Sequence, residues 1–285
     1  MPAAALAMRA CPPTSQFMLP TDASREAEAD PSQPEGRALD ILKSRPDAFA
    51  LFLDIDGTLV DLAERPEAIV VPADLADHLQ SISAQLGGAL ALVTGRALAY
   101  ADTLFSPLTL PIAGLHGAER RRADGSVDGL AADPAFKTLK RSLERVTADW
   151  KGILIEDKGA AVAAHYRQAP EWQASLEAVM RSALEEAGPD YALQRGKMVI
   201  EIRPARASKG AAVRAFLSES PFAGRIPITI GDDLTDEAMF KVANEFGGLS
   251  IRIGEPGEET AAQTTIASAA ALRAILKDLA GPGID

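Results

Sequence analysis

The chain has 285 residues, 47% of them hydrophobic, and a formal net charge of −11, enough for one large or two modest domains around a sizeable core. The acidic balance excludes nucleic acid and an anionic membrane surface as partners, and no apolar run reaches the length of a bilayer-spanning helix. Cys11 is the only cysteine, so no disulfide forms within the chain and no thiol chemistry is indicated; the expected location is cytoplasmic.

Residues 1–38 are rich in Pro, Ser, Ala, Asp and Glu without periodicity, the composition of a disordered tail. The opening MPAAALAMRA has no basic segment before its alanines, and Arg9 interrupts them, so it does not read as a signal peptide; Met8 and Met18 are alternative starts. The run AFALFLDIDGTLV, from Ala48 to Val60, is a buried strand that ends in two aspartates. Side chains i and i+2 of a strand share a face, so Asp54 and Asp56 leave one sheet edge together and repel each other there. A hard divalent cation relieves that repulsion. One carboxylate can then attack phosphorus while its neighbour moves protons, which is phosphoryl transfer through an aspartyl-phosphate. Two other readings stand beside this one. A calcium loop of the EF-hand type also begins D-x-D-G, but its twelfth position is Arg65 rather than Glu; a plain strand-to-loop turn would use Asp56 and Thr58 only to satisfy backbone amides.

Leu75, Leu79, Ile82 and Leu86 fall at helical spacing, and His78 on that helix is expected to be solvated. ALALVTGR, Ala89 to Arg96, is a second buried strand with Thr94, Gly95 and Arg96 at its end, and LTLPIAGLHG a third. From about Glu119 to Arg203 the pattern changes to helix (Pro134–Trp150), strand pair (ILIEDKG, AAVAAHYR), helix (Pro170–Ala187) and strand pair (YALQ, KMVIEIR), an α+β module inserted into the surrounding alternation. Its strands put Ile153, Ile155, Val162, Ala164, Tyr166, Met198, Ile200 and Ile202 on faces that the helices can cover. The opposite parities carry Glu156 with Lys158, His165 with Arg167, and Lys197 with Glu201 and Arg203. That polar face is either simply solvated or a lining for a polyhydroxylated ligand.

Alternation then resumes with Ser208-Lys209-Gly210 ahead of a helix at Ala211–Leu217, the strand IPITIG followed by Asp232, Asp233, Asp236 and Glu237, the strand LSIRIG, and a final helix from about Thr260 to Leu279. Strand–helix alternation of this kind predicts an α/β fold, a doubly wound parallel sheet with right-handed crossovers and an inserted α+β domain. The expected divisions are a tail at 1–38, a core at 39–118 and 204–285, and the insert at 119–203. Apolar strands that each end in polar residues place a site along the carboxyl edge. Read separately, Thr94, and Asp233 or Asp236, have helix capping as a secondary reading.

In chain order the edge carries paired carboxylates, a hydroxyl, a lysine and an acidic cluster, and this resembles the four-motif signature of the haloacid dehalogenase-like phosphohydrolases. The resemblance implies Asp54 as nucleophile, Asp56 as acid and then base, Thr94 as hydrogen-bond partner of the phosphoryl group, and Lys209 as its counter-charge. It implies Mg²⁺ held by Asp54, Asp232 and the backbone carbonyl of Asp56, with Asp233 and Asp236 outside the first ring of ligands. The insert resembles the cap of sugar-phosphate phosphatases. GLHGAE, EDKG, HYR, GKMVIEIRP, SKG and GDDLTDE together resemble the trehalose-6-phosphate phosphatase family from about residue 48 onward. That likeness implies sugar contacts from Glu156, Lys158 and Glu201, a place near the substrate for His116 and Gly117, phosphate attraction by Arg120, and a sugar-facing surface that includes His165 and Arg167. The expected partner is a small sugar phosphate, with no nucleic acid or membrane; association with a synthase is not readable from the residues. Other enzymes of similar build act on sucrose phosphate or a mannosyl-glycerate phosphate or are phosphomutases, and a catalytically silent sugar-phosphate sensor is the reading from a different class. His116 also reads as a hinge residue.

Overall fold

A computed structural model describes residues 39–62, 69–129, 134–196, 198–255, 257 and 259–281. The amino-terminal tail with Cys11, and Arg65 and Lys197, lie outside them.

The elements in chain order are α1 (Ile41–Ser44), β1 (Phe49–Leu53), α2 (Leu75–Gln85), β2 (Leu90–Val93), α3 (Leu98–Phe105), β3 (Ile112–Gly114), β4 (Glu119–Arg121), β5 (Val127–Gly129) and α4 (Pro134–Thr147). They continue as β6 (Leu154–Asp157), β7 (Val162–His165), α5 (Gln173–Ala187), β8 (Tyr191–Gly196), β9 (Val199–Pro204), α6 (Lys209–Leu217), β10 (Ile226–Gly231), α7 (Glu237–Glu245), β11 (Leu249–Ile253), β12 (Thr264–Ile266) and α8 (Ala269–Ala280). Eight strands form one sheet in the order β12-β11-β10-β1-β2-β3-β4-β5, and four form another in the order β6-β7-β9-β8.

In the large sheet β12 through β3 run parallel, while β4 and β5 turn back antiparallel at one edge. Strand β1, all five residues of it buried, lies at the centre, because an apolar strand without alternation needs cover on both faces. Its neighbours are β10 on one side and β2 on the other, and Leu53 pairs with Ile230 and with Leu92. The polar residues that follow these three strands therefore emerge side by side, at the point where strand order reverses. Helices pack as α2 with α8 and α6 with α7. Under β1, Phe52 meets Phe222 at 5.5 Å and Phe216 at 6.1 Å between ring centroids, an aromatic group that anchors the strand bearing Asp54.

The small sheet is antiparallel throughout. Phe136, Leu139 and Leu143 of α4 and Leu176, Met180 and Ala183 of α5 cover Val162, Ala164, Ile200 and Ile202, the apolar parity expected from alternation. Phe136 stacks on Tyr191 at 4.2 Å, and Trp150 on Trp172 at 4.5 Å. The opposite face is left for polar side chains.

Two sequence expectations need correction. Residues 119–129, expected in the insert, extend the large sheet, since Glu119–Arg121 pairs back onto Ile112–Gly114. The last helix starts at Ala269, with the Ser268 hydroxyl accepting from the Ala271 amide; the β-branched run Thr264-Thr265-Ile266 before it forms the edge strand β12. Among the described residues, no helix is long and apolar enough to cross a membrane.

The aromatic group sets a stability prediction. Phe222 is fully buried, so Phe222→Ala should cost about 3–5 kcal/mol in chemical denaturation; a cost nearer that of a surface change would mean the group does not carry the central strand.

Candidate active site

The site is built from four segments that end or begin at the carboxyl edge. Asp54 continues β1 by donating its N–H to Ile230 O at 2.9 Å, and its carboxylate is 3% exposed as a residue. Lys209, the first residue of α6, is buried with it. The ammonium donates to Asp54 Oδ1 and to Asp236 Oδ1, each at 2.6 Å. Burial alone would lower the Lys209 pKa, but the Asp236 and Asp54 carboxylates outweigh it and push it up, so the lysine stays charged.

Asp236 is wholly buried and has no idle oxygen. Its Oδ2 accepts the N–H groups of Asp232 and Asp233 at 2.9 and 3.0 Å, and Oδ1 faces Lys209. Asp233 completes a capping box with it, and its own side chain accepts from the Leu234 amide. Both residues shape the turn that carries Asp232.

Asp232 is aimed at the turn after β1. Gly57 adopts φ +76°, and a Cβ there would lie 2.1 Å from Asp232 Oδ2; only glycine fits both the dihedral and the approach. Ligand oxygens of Asp54, Asp232 and Asp236 all fall within 4.8 Å of one another. Burial first, and then the Asp236 carboxylate, push the Asp232 pKa up to about 7; burial and the neighbouring acids likewise raise Asp54 against the pull of Lys209. With all three carboxylates ionised, one ammonium leaves an excess of two negative charges; among the described residues no hydrogen bond engages the Asp232 carboxylate, and Asp54 Oδ2 meets only the Thr58 hydroxyl at 3.4 Å. A hard divalent cation fits that donor set and that charge.

Asp56 is held differently from expectation. Arg96 grips it through both carboxylate oxygens, Nε to Oδ2 and Nη2 to Oδ1, each at 2.6 Å, while the guanidinium lies 4.6 Å over the Tyr100 ring. Thr94 is fully buried and is not on the cleft wall; its hydroxyl oxygen accepts the Arg96 N–H at 3.1 Å. Arg96 is thus a site residue the motifs did not single out. Its signal was present, for it leaves the same strand end as Thr94.

Above the carboxylates opens a cleft of about 1070 Å³, lined from the large sheet by Asp54, Asp56, Arg96, His116, Lys209 and Asp232 and from the small sheet by Glu156, Lys158, His165, Arg167 and Glu201. Two cross-links join the walls. Lys158 Nζ donates to Gly95 O at 3.3 Å and to Glu201 Oε2 at 3.2 Å. His116 Nε2 lies 3.7 Å from the same Glu201 oxygen. Leu115 and His116 take φ 49° and 56°, a strained turn that aims the imidazole at the cleft. Burial raises the Glu201 carboxyl, yet the Lys158 ammonium outweighs it and the pKa falls to about 2; burial lowers His116, leaving a neutral imidazole at pH 7. Glu201 Oε1 and His116 Nδ1 are buried with no hydrogen-bond partner among the described residues, an acceptor and a ring nitrogen ready for a ligand's polar groups. Glu156 Oε2 accepts from His165 Nε2 at 2.8 Å.

Several expected residues stand apart. Arg120 does not line the cleft, because Glu219 holds it at 2.7 Å and its guanidinium lies 5.0 Å over the Phe216 ring. Gly117 also faces elsewhere; at φ +101° it packs against Ala212 and Ser208 O of α6. Arg203 shares the parity of Glu201 but turns to Gln194 and Ala207 O. Gln194, Arg195 and Arg252 line the cleft instead. Gln194 pairs opposite Glu201, so knowing strand register would have identified it.

A family model described as trehalose-phosphatase matches residues 52–270. The chain is 61% identical over 242 residues to a probable trehalose-phosphate phosphatase of Sinorhizobium fredii, covering 85% of this chain and 91% of that one. It is 42% identical over 207 residues to the trehalose-6-phosphate phosphatase of Escherichia coli, covering 72% and 77%. The C-terminal domain of Candida albicans trehalose-6-phosphate phosphatase superposes with TM-score 0.75 over 87% of this chain and 97% of that one, at 21% identity, a likeness of fold. With its Asp54–Lys209–Asp236 core beneath a polar cleft and a match spanning most of its length, the chain belongs to the trehalose-phosphatase family.

Proposed function

We propose that this protein hydrolyses trehalose 6-phosphate to trehalose and phosphate, with Mg²⁺ as cofactor and a phosphoryl group carried transiently on Asp54. The observation that carries the reading is a buried, lysine-paired carboxylate facing a wall of sugar-binding chemistry across one cleft. The four-stranded sheet with α4 and α5, from Pro134 to Pro204, acts as the cap; the large sheet and its helices are the core.

Lys209 fixes Asp54 Oδ1, so Oδ2, with only Thr58 Oγ1 at 3.4 Å, is the oxygen that attacks phosphorus. Asp54, Asp232 and the Asp56 carbonyl would hold Mg²⁺, which would supply positive charge to the phosphoryl oxygens. Lys209 adds charge to the same oxygens, while Thr94, behind the cleft wall, braces the loop by accepting the Arg96 N–H. Asp56 gives a proton to the departing sugar oxygen and then takes one from the water that cleaves the aspartyl-phosphate, a role worth roughly 10²- to 10⁴-fold in rate. For that step Arg96 must release at least one Asp56 oxygen, which takes up a proton from solvent before giving it to the sugar oxygen. On the cap, Glu156, Lys158 and Glu201 meet sugar hydroxyls, with His165 and Arg167 beside them and His116 at the junction. A silent sensor has no use for a nucleophile preset by a buried lysine.

The primary test is a panel of trehalose, sucrose, mannosyl-glycerate and hexose phosphates assayed for phosphate release with Mg²⁺. Trehalose 6-phosphate should have the highest kcat/KM; a preference for another member transfers the enzyme to that substrate, and no release from any leaves the sensor reading.

Metal linkage gives a second prediction. With no cation bound, Asp232 has its pKa raised from 3.8 to about 7. The corresponding stability is complete below about 4 and is lost as pH rises through about 7. In EDTA the melting temperature should therefore fall between pH 5 and 8, and Mg²⁺ should raise it most at pH 8, with both effects reduced in Asp232→Asn. A Mg²⁺ shift that is independent of pH and survives the substitution would remove Asp232 from the metal.

The cap makes a third. Glu201→Ala leaves Lys158 without its carboxylate and a sugar hydroxyl without an acceptor, which should cost about 1–3 kcal/mol in kcat/KM for trehalose 6-phosphate. The loss on p-nitrophenyl phosphate, which has no sugar, should be much smaller. Equal losses on the two substrates would return the polar face to a structural or solvated role.

A further inference from the structure

Lys140, in the middle of α4, is a buried cation in the layer that covers the apolar side of the small sheet. Its stem runs beside Phe136, with Nζ 5.7 Å from the ring centroid. The ammonium donates to the Asp157 carboxylate and, at 2.7 Å, to Gly159 O. Asp157 Oδ1 in turn accepts the Gly159 N–H at 2.8 Å, and Lys158 N–H donates to Ala161 O at 3.1 Å. Gly159 sits at φ +73°, in the region that favours glycine. One ammonium therefore closes the β6–β7 turn from both sides of Lys158, the residue that reaches Glu201 and the Gly95 carbonyl of the opposite wall.

Stability alone is a poor account of this arrangement. Desolvating an ammonium on α4 is costly, and a buried ion pair is no better for the fold than an apolar side chain of equal volume. Asp157, whose side chain is 55% exposed, could be satisfied by water. What the ammonium supplies that a methionine would not is a fixed shape for the turn. Burial raises the Asp157 carboxyl, but the Lys140 ammonium and the Gly159 amide outweigh it and hold it below its ordinary range.

We propose that Lys140 is a positioning residue for the trehalose-phosphate reaction: by clamping Asp157 and Gly159 it aims Lys158 across the cleft, and so governs the sugar-dependent part of catalysis without touching substrate. The proposal rests on the substrate reading above for its kinetic consequence, but the clamp itself does not.

The experiment uses the full chain with Lys140→Met, Asp157→Asn, Lys158→Ala and the Lys140→Met/Lys158→Ala double variant. Hydrogen exchange read by mass spectrometry should speed up in the segment 154–165 of Lys140→Met and stay unchanged in the core strands. In kinetics, Lys140→Met should lose about tenfold in kcat/KM on trehalose 6-phosphate and little on p-nitrophenyl phosphate. Asp157→Asn, which leaves a largely exposed residue polar and so spares the fold, should reproduce that selectivity. If Lys140 acts through Lys158, it should have no further effect once Lys158 is alanine. Equal losses on both substrates, an undiminished effect in the Lys158→Ala background, or turn exchange unchanged in Lys140→Met would each overturn the proposal. Should the parent enzyme hydrolyse no trehalose 6-phosphate, the substrate reading falls alone; the exchange measurement still decides the clamp, and the kinetic cycle is run on whichever phosphate the parent does hydrolyse.

Discussion

The buried ammonium of Lys209, shared by Asp54 and Asp236, is the interaction on which the rest depends. It ties together three segments far apart in the chain: the end of the central strand, the start of α6 and the turn that begins α7. A charge this deep is tolerable only with partners, and two carboxylates at 2.6 Å satisfy it. The consequences spread outward. With Oδ1 of Asp54 fixed, the other oxygen has one direction to face. With Asp236 saturated by Lys209 and two backbone amides, the turn that carries Asp232 is set, and Gly57 leaves the space for its carboxylate. The acids then exceed the cations, and the site favours a divalent ion between Asp54 and Asp232.

The upper half of the cleft follows a different logic. There the carboxylates are not in excess but interleaved with cations and imidazoles: Glu201 with Lys158 and His116, Glu156 with His165. The lower site matches a dianionic phosphoryl group and its metal, whereas the upper one presents donors and acceptors in alternation, suited to a neutral polyol. Arg96 stands where the two meet. Its fork engages both oxygens of Asp56, the group proposed above for proton transfer. The two halves also communicate, since Lys158 touches the Gly95 carbonyl in the same loop as Arg96.

Much of this was legible in the sequence because it depends on short-range patterns. Strand ends show where apolar runs stop, and parity puts Asp54 with Asp56 and Ile200 with Ile202. The insert's helices and strands were readable for the same reason, and its apolar face carries Val162 with Ala164 and Ile200 with Ile202, as their parity indicates. What could not be read depends on pairing between distant segments. Residues 119–129 looked like the start of the insert because nothing local says that Arg121 will lie beside Ile112. Arg120 looked available for phosphate, yet Glu219, about a hundred residues on, takes it. The edge strand β12 is three residues long and too short for any period to show before the helix that follows. Arg96 and Lys140 went unassigned because each matters through one contact made across the fold, with Asp56 and with the Asp157–Gly159 turn.

The account stands or falls on Asp54 as a covalent carrier. Brief reaction with trehalose 6-phosphate and Mg²⁺, quenching, and borohydride reduction would convert an aspartyl-phosphate to homoserine, which peptide mass spectrometry can locate. The account predicts homoserine at position 54 alone, formed only when substrate and divalent cation are both present. Reduction product at another residue, or none while phosphate is being released at full rate, would contradict it.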